Sequence, residues 1–361
     1  MSDVKVANGS DRYISFDMAK LVCSIFVVMI HVAPFGQQPS DPVFLYLNFI
    51  FCQCLCRIAV PLFFVFNGFF LYKKIALHSS VLVPTKNYLL KILKLYLLWS
   101  LIYFPLNLPT IIDNPKGVLY GFLMYLKSFV FVGSYKHLWY MNALVLAVAV
   151  IACLLYKKCS LEKIFCISLV FYALGLLGDG YYGIITPLFS VPILGRLINA
   201  YFRVFETTRN GLFFAFFFVS LGMMLSKKEI LISKKKSVFF LVMSASMLFL
   251  ETNLISHFGI AKDMNILVFI VPTVLFCFIC LKAVKLKNFI ANTYIRKANT
   301  LIYYGHMWSL AIVSALLNAF RMQLENTPWL FIMVLVVTML FSLVVIKLSC
   351  KKQFNWLKTM Y

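Results

Sequence analysis

The stretch "FDMAKLVCSIFVVMIH" places Asp17, Lys20 and His31 inside an otherwise apolar run. An imidazole there can take a proton from a hydroxyl or carry a transferred group, and a nearby cation can hold an anionic partner or a developing oxyanion. Lys20 and His31 are eleven residues apart, which on a helix is three turns plus 20°. They therefore share one face, about 16 Å apart along the axis. Ionisable groups at such depth face protein or a wet cavity rather than lipid. The plainer alternative is that Asp17 and Lys20 snorkel to the interface while His31 satisfies a core hydrogen bond.

Other polar residues raise the same question. Arg57 and Pro61 interrupt "RIAVPLFFVFNGFFLY", a run too long for one straight span, and Pro61 is expected to kink it. Lys91 and Lys94 lie three apart in "NYLLKILKLYLLWS", suited either to snorkelling or to clamping phosphates. His137 and Trp139 in "HLWYMNALVL", then Arg203, Glu206 and Arg209 in "FRVFETTRNGLFF", are expected on the opposite side with Glu251 and Asp263. His306 in "IYYGHMW" is the only histidine well inside the second half.

The elements that must position these groups are membrane helices. The chain has 361 residues, of which 62% are hydrophobic and 13% charged, and its mean hydropathy is +0.90. That is beyond the balance of soluble domains and predicts an all-α, polytopic integral membrane bundle. Ten runs are long enough to span: 15–34, 43–72, 88–109, 138–156, 163–178, 209–225, 237–256, 264–281, 298–320 and 328–348. An eleventh, 118–133, reads as re-entrant or interfacial.

With the N-terminus inside, 22 of the 34 Lys and Arg residues fall in inner segments and 8 in outer ones. This asymmetry predicts about ten transmembrane helices with both termini cytoplasmic, in a bacterial plasma membrane. The net charge of +22 thus reads as topology and not as a nucleic-acid site. The ten cysteines sit mostly in apolar runs, without the paired spacing of a metal site or a disulfide framework, so no metal is expected. No cleavable signal peptide is expected, and residues 1–361 read as a single membrane-embedded domain with no appended soluble part.

These motifs resemble the acyltransferase-3 family of multi-span membrane acyltransferases, many of which O-acetylate cell-surface glycans. The likeness covers nearly the whole chain. Asp17, Lys20 and His31 match its first-span motif, and "RIAVPLFFVFNGFFL" its second-span signature. "HLWYMNALV", "RNGLFFAFFFVSLGM" and "LIYYGHMW" are similar to its later motifs. Four positions depart from the pattern: Lys20, and the pair Lys91 and Lys94, stand where Arg is usual, and Asn67 stands where Ser usually precedes Gly68. A lysine offers a point charge in place of the bidentate fork of arginine.

The resemblance implies transfer of an acyl group, acetyl first, from cytosolic acetyl-CoA or another acyl-CoA to a hydroxyl of a surface glycan or its precursor. The acyl-CoA is a donor substrate, and no permanently bound cofactor is expected. His31, Lys20, Asp17 and Arg57 are the expected catalytic set, with His31 as base or nucleophile. Lys91 and Lys94 are expected to hold the donor, joined by Arg57 and Lys20 unless these stabilise the oxyanion. His137, Trp139, Arg203, Glu206, Arg209, Glu251 and His306 are expected around the acceptor. Broken spans and buried charges equally suit a transporter of a glycan or small polar solute, or an amino-acid-linked membrane domain of the same family.

Overall fold

In hydrocarbon every backbone polar group must be satisfied within the protein, and this chain does so with helices. The computed structural model describes residues 13–36, 41–286, 291–322 and 327–361; the N-terminal leader through Arg12 and Lys287, both used above to assign orientation, lie outside them. Among the described residues there are thirteen α-helices and no strand. They are α1 (Ile14–Val32), α2 (Pro42–Asn48), α3 (Ala59–Ala76), α4 (Leu82–Ile112), α5 (Val118–Phe131), α6 (Trp139–Tyr156) and α7 (Leu161–Leu176). There follow α8 (Pro192–Phe205), α9 (Phe216–Lys227), α10 (Lys234–His257), α11 (Ile270–Ala283), α12 (Ala291–Ala319) and α13 (Pro328–Leu348).

Among the described residues, seven helical stretches are long and apolar enough to cross a membrane: α1, the broken α2–α3 unit, α4, α6, α10, α12 and α13. The other three expected spans give shorter helices, α7 with 16 residues, α11 with 14, and α9, which a π-helical turn at Gly211–Ala215 extends toward its N-terminus. The run at 118–133 forms the 14-residue α5. One amphipathic helix, α8, has no counterpart among the sequence expectations.

Two interruptions shape the site. Between α2 and α3 the chain passes through a π-helical segment, Phe49–Leu55, and one 3-10 turn, Cys56–Ile58. The break thus precedes Pro61, which sits in the first turn of α3, where its missing N–H costs least. Arg57 lies within the break. The second interruption is residues 261–269, which run non-helically before α11.

The core is built by α1, α3, α9 and α12, rich in phenylalanine. Phe64, Phe66, Phe214 and Phe218 are fully buried, and Phe16 packs on Phe66 and Phe278. The closest approach is between α3 and α9. A Cβ on Gly68 would fall 2.0 Å from the Val219 carbonyl oxygen, and one on Gly222 would fall 2.1 Å from that of Val65. Two glycines thus let the backbones touch, the small-residue contact through which membrane helices gain packing energy without a hydrophobic drive.

Gly222→Ala should therefore force α3 and α9 apart, costing about 1–3 kcal/mol and lowering the melting temperature in detergent. Gly305→Ala, whose new methyl meets only the Phe341 ring, should cost less. Equal melting temperatures for the two variants would contradict this packing.

Candidate active site

Helix α1 ends at Val32, with Ala33 in the left-handed conformation and its N–H bonded to the Met29 carbonyl. His31 therefore occupies the last turn, half-buried. Packing of α12 against α1 brings the His306 ring to 5.3 Å from that of His31, centre to centre. The turn before α6 adds His137, 4.9 Å from His306 and 6.3 Å from His31. Three histidines far apart in sequence thus form one cluster.

The cluster is held by backbone contacts. Tyr303 Oη donates to the His137 carbonyl at 2.7 Å, and Tyr103 Oη donates to the Tyr304 carbonyl. The Tyr103 ring stacks on Tyr135 and stands edge-on to His137. His306 Nδ1 lies 2.8 Å from the Tyr303 carbonyl and 3.3 Å from that of Ile302. A carbonyl can only accept, so Nδ1 carries the proton and Nε2 is left with a lone pair. His306 Nε2 and both nitrogens of His137 are buried without a hydrogen-bond partner.

On the side of this cluster expected to face the cytoplasm lies a cavity of about 240 Å³. Exposed Lys74, Lys91 and Arg296 stand at its mouth, half-buried Lys20 and buried Ser24 lie further in, and Tyr140, Met141, Tyr303 and Tyr304 line it toward the histidines. Lys20 Nζ sits 4.9 Å from the centre of the Phe70 ring. Asn67 bridges two cavity tyrosines, accepting from Tyr88 Oη at 2.7 Å and donating to Tyr140 Oη. Asn299 ties α12 to α1 by donating to the Asp17 carbonyl, while Ser24 donates to the Asn299 carbonyl.

Toward the other end of α3, Arg57 faces a vestibule of about 350 Å³ lined also by Asn48, Gln53, Ser256, Lys262 and Asp263. Its guanidinium donates to Gln53 at 2.7 Å and Asn265 at 2.5 Å and lies 3.7 Å from Asp263. Arg209 reaches the other Asp263 oxygen at 3.4 Å and stacks over Trp139 at 4.7 Å.

The non-helical segment 261–269 presents Asp263 and Asn265 to these arginines. Its backbone is satisfied by buried carboxylates: Asp179 Oδ1 accepts from Asn265 and Ile266, and Glu251 from Val268 and Phe269. Tyr172 Oη donates to the Leu267 carbonyl and Tyr181 Oη to Glu251. This follows the rule that unwound backbone at membrane depth needs protein partners. Burial and the charge of Asp263 raise the Asp179 carboxyl to about 7, although its two backbone N–H donors oppose the shift. Asp263 moves the other way: burial alone would raise it, but Arg57 and Arg209 hold it below the usual range.

The sequence-derived candidates therefore divide. His31, His137 and His306 come together; Lys20 and Lys91 share the inner cavity, and Asp17 lies one turn before Lys20. Lys94 is exposed and does not line that cavity, because three residues turn it off the Lys91 position toward the outside of α4. Arg57 is bound up with Asp263 and not with the inner cations. Glu251 holds the segment before α11, so both its oxygens are engaged away from an acceptor. Arg203 and Glu206 end α8 at the surface, bonded to Lys127 through the Arg203 carbonyl and the Glu206 carboxylate. Sequence reasoning missed Lys74 and Arg296, which had counted only as orientation charges at the inner ends of α3 and α12, and missed Asp179.

A family model described as an acyltransferase domain matches residues 13–347. Among curated relatives, a protein named amino-acid racemase from Enterococcus faecalis is 31% identical over 73% of this chain and 35% of its own length. A second protein of that name and organism is 28% identical over 93% of this chain and 46% of its own. A serine/alanine racemase from Enterococcus gallinarum is 31% identical over 72% and 36%. The chain thus spans less than half the length of these relatives. No solved structure matches it.

Because the folded state holds the Asp179 proton more tightly than the 3.8 of an ordinary carboxyl, the folded chain binds more protons than the unfolded one between about pH 4 and 7. This group's contribution to stability is complete below about pH 4 and is lost as pH rises through 7. Asp179→Asn keeps an oxygen for Asn265 and Ile266, so its melting temperature should decline less across that window than the wild type's. Parallel declines would contradict the assignment.

Proposed function

The chain belongs to the acyltransferase-3 family, and from that premise we propose that it moves an acyl group, acetyl first, from cytosolic acyl-CoA to a hydroxyl of a cell-surface glycan or glycan precursor. What supports this reading is a histidine cluster in a bundle that carries a cationic cavity beside the end of α3 and a polar vestibule beside its start.

The donor approaches from the inner side. Lys74, Lys91 and Arg296 stand where the phosphates of CoA would be met, and Arg296 can offer the bidentate contact that the lysines cannot. The cavity is smaller than the roughly 300 Å³ at which closed small-molecule pockets begin, so it suits the thioester arm while the nucleotide stays at the mouth. Lys20, shielded by Phe66 and Phe70, meets the arm deeper in.

The chemistry falls to His31. Half-buried and flanked by buried imidazoles, it removes the acceptor hydroxyl proton as the oxygen bonds to the acyl carbon and the carbon–sulfur bond breaks. The thiolate takes a proton and leaves as CoA. Arg57 and Arg209 share the single carboxylate of Asp263, so a net positive charge stays beside the vestibule to favour the developing oxyanion. The vestibule at Arg57, Asn48 and Gln53, with Trp139 under Arg209, supplies the polar and aromatic groups for a hydroxylated acceptor.

A second reading draws on the names of the curated relatives. In it, this membrane domain passes a small amino acid through the same bundle, its carboxylate held by Arg57 or Arg209 and its ammonium by Asp263. It predicts solute flux without consumption of acyl-CoA.

The two readings separate in proteoliposomes. Under acyl transfer, acetyl-CoA is consumed when glycan-bearing membrane extract is supplied, His31→Ala slows turnover by about 10²–10⁴-fold, and Arg296→Ala raises the KM for acetyl-CoA at nearly unchanged kcat. Wild-type turnover in His31→Ala would contradict the role of that residue. Amino-acid flux with no acetyl-CoA consumption by the wild type would favour the second reading.

A further inference from the structure

His306 is buried on α12, and the sequence patterns point only to a place near the acceptor. Its surroundings give it a narrower task. The Tyr303 and Ile302 carbonyls fix its proton on Nδ1, so the ring can only accept at Nε2. That nitrogen is buried and has no partner. A buried acceptor left unpaired costs about 1–3 kcal/mol, so the position is filled when the site is at work.

The neighbouring half-buried ring is His31. Two imidazoles joined by an N–H···N bond of roughly 3 Å have centres about 5 Å apart, and the His31 and His306 centres are 5.3 Å apart with ring planes 31° from each other. A rotation of the His31 ring closes the remaining gap. Catalytic hydrogen bonds commonly tighten in this way once substrate binds.

We propose that His306 is the positioning residue for His31: its Nε2 accepts the N–H of His31, which turns the remaining lone pair of His31 toward the acceptor hydroxyl. The chain of bonds runs from the Tyr303 carbonyl through His306 to His31, and each partner fixes the tautomer of the next. It has the logic of a carboxylate holding a catalytic histidine, with a neutral imidazole in the carboxylate's place. This suits the membrane interior, where an unpaired carboxylate would be costly to bury. His137, 4.9 Å from His306 and edge-on to Tyr103, packs beside the pair.

In the transfer step the acceptor oxygen bonds to the acyl carbon as the carbon–sulfur bond breaks. The hydroxyl proton goes to the free nitrogen of His31, whose other N–H stays hydrogen-bonded to His306. The imidazolium then returns that proton to the thiolate of CoA, and both rings end as they began.

The proposal rests on the acyl-transfer reading, and two substitutions of opposite geometry test it. His306→Asn can keep the bond to the Tyr303 carbonyl through Nδ2 but has no acceptor at the Nε2 position. His306→Gln can place an oxygen near that position but gives up the carbonyl bond. With acetyl-CoA as the probe in proteoliposomes, His306→Asn should lower kcat by about 10²–10³-fold while the KM for acetyl-CoA and the melting temperature stay near wild type. His306→Gln should recover at least tenfold of that loss.

A merely structural role predicts the reverse order, with Asn tolerated and Gln harmful, and that result would overturn the proposal. Equal kcat for wild type and His306→Asn would also overturn it while leaving acyl transfer intact. Absence of acetyl-CoA consumption by the wild type would instead remove acyl transfer and, with it, this role for His306. Imidazole ¹⁵N spectra of the protein in nanodiscs give a readout that needs no turnover: His306 should hold its proton on Nδ1, and a proton on Nε2 would overturn the assignment.

Discussion

Water is absent from the bilayer core, and each polar group placed there must find its partner in the protein. This chain puts three histidines and two arginines within reach of one another at that depth, and the surrounding structure answers the cost. Backbone carbonyls hold His306, tyrosine hydroxyls hold the carbonyls around it, and Asp263 pairs with both Arg57 and Arg209, leaving one net positive charge. Buried polar atoms without partners include His306 Nε2 and both nitrogens of His137, and also Arg57 Nε, Arg209 Nε and Asn265 Nδ2 around Asp263. Unmatched groups gathered at the histidines and at the arginines are places where a substrate can supply the missing bonds.

The helix arrangement serves this centre. Close contact of α3 and α9 through Gly68 and Gly222 fixes the frame on which Arg57 and Arg209 sit, since the helical break before α3 carries the first and the loop before α9 carries the second. The α1–α12 contact, tied by Asn299 to Asp17 and Ser24, brings His31 and His306 together and forms one wall of the inner cavity. Segment 261–269 gives up helical bonding to carry Asp263 to both arginines, and Asp179 and Glu251 take over its backbone N–H groups.

The α-helical membrane class and most helix positions were legible in the sequence, because runs of about twenty apolar residues are the strongest pattern a chain can carry. The stripe of Lys20 and His31 was legible for a similar reason, since eleven residues is nearly an integral number of turns. The meeting of His31 with His137 and His306 was not, because nothing local encodes which faces of distant helices pack together. Glu251 read as a substrate group, since an acidic residue near a span end looks alike whether it faces a vestibule or caps an unwound segment. Lys74 and Arg296 were within reach: topology places the inner ends of α3 and α12 on the same side as Lys91, and asking which cations converge there, beyond which side they favour, would have found them.

The central claim is that one axis joins a donor on the inner side to an acceptor on the outer side. Sealed vesicles with the protein in a single orientation test it most directly, with radiolabelled acetyl-CoA supplied only to the face bearing Lys74, Lys91 and Arg296 and a membrane-impermeant glycan acceptor only to the other. Labelled acetyl on that acceptor, with CoA released on the donor face, is the predicted result. Transfer that occurs only when donor and acceptor share a face would contradict it.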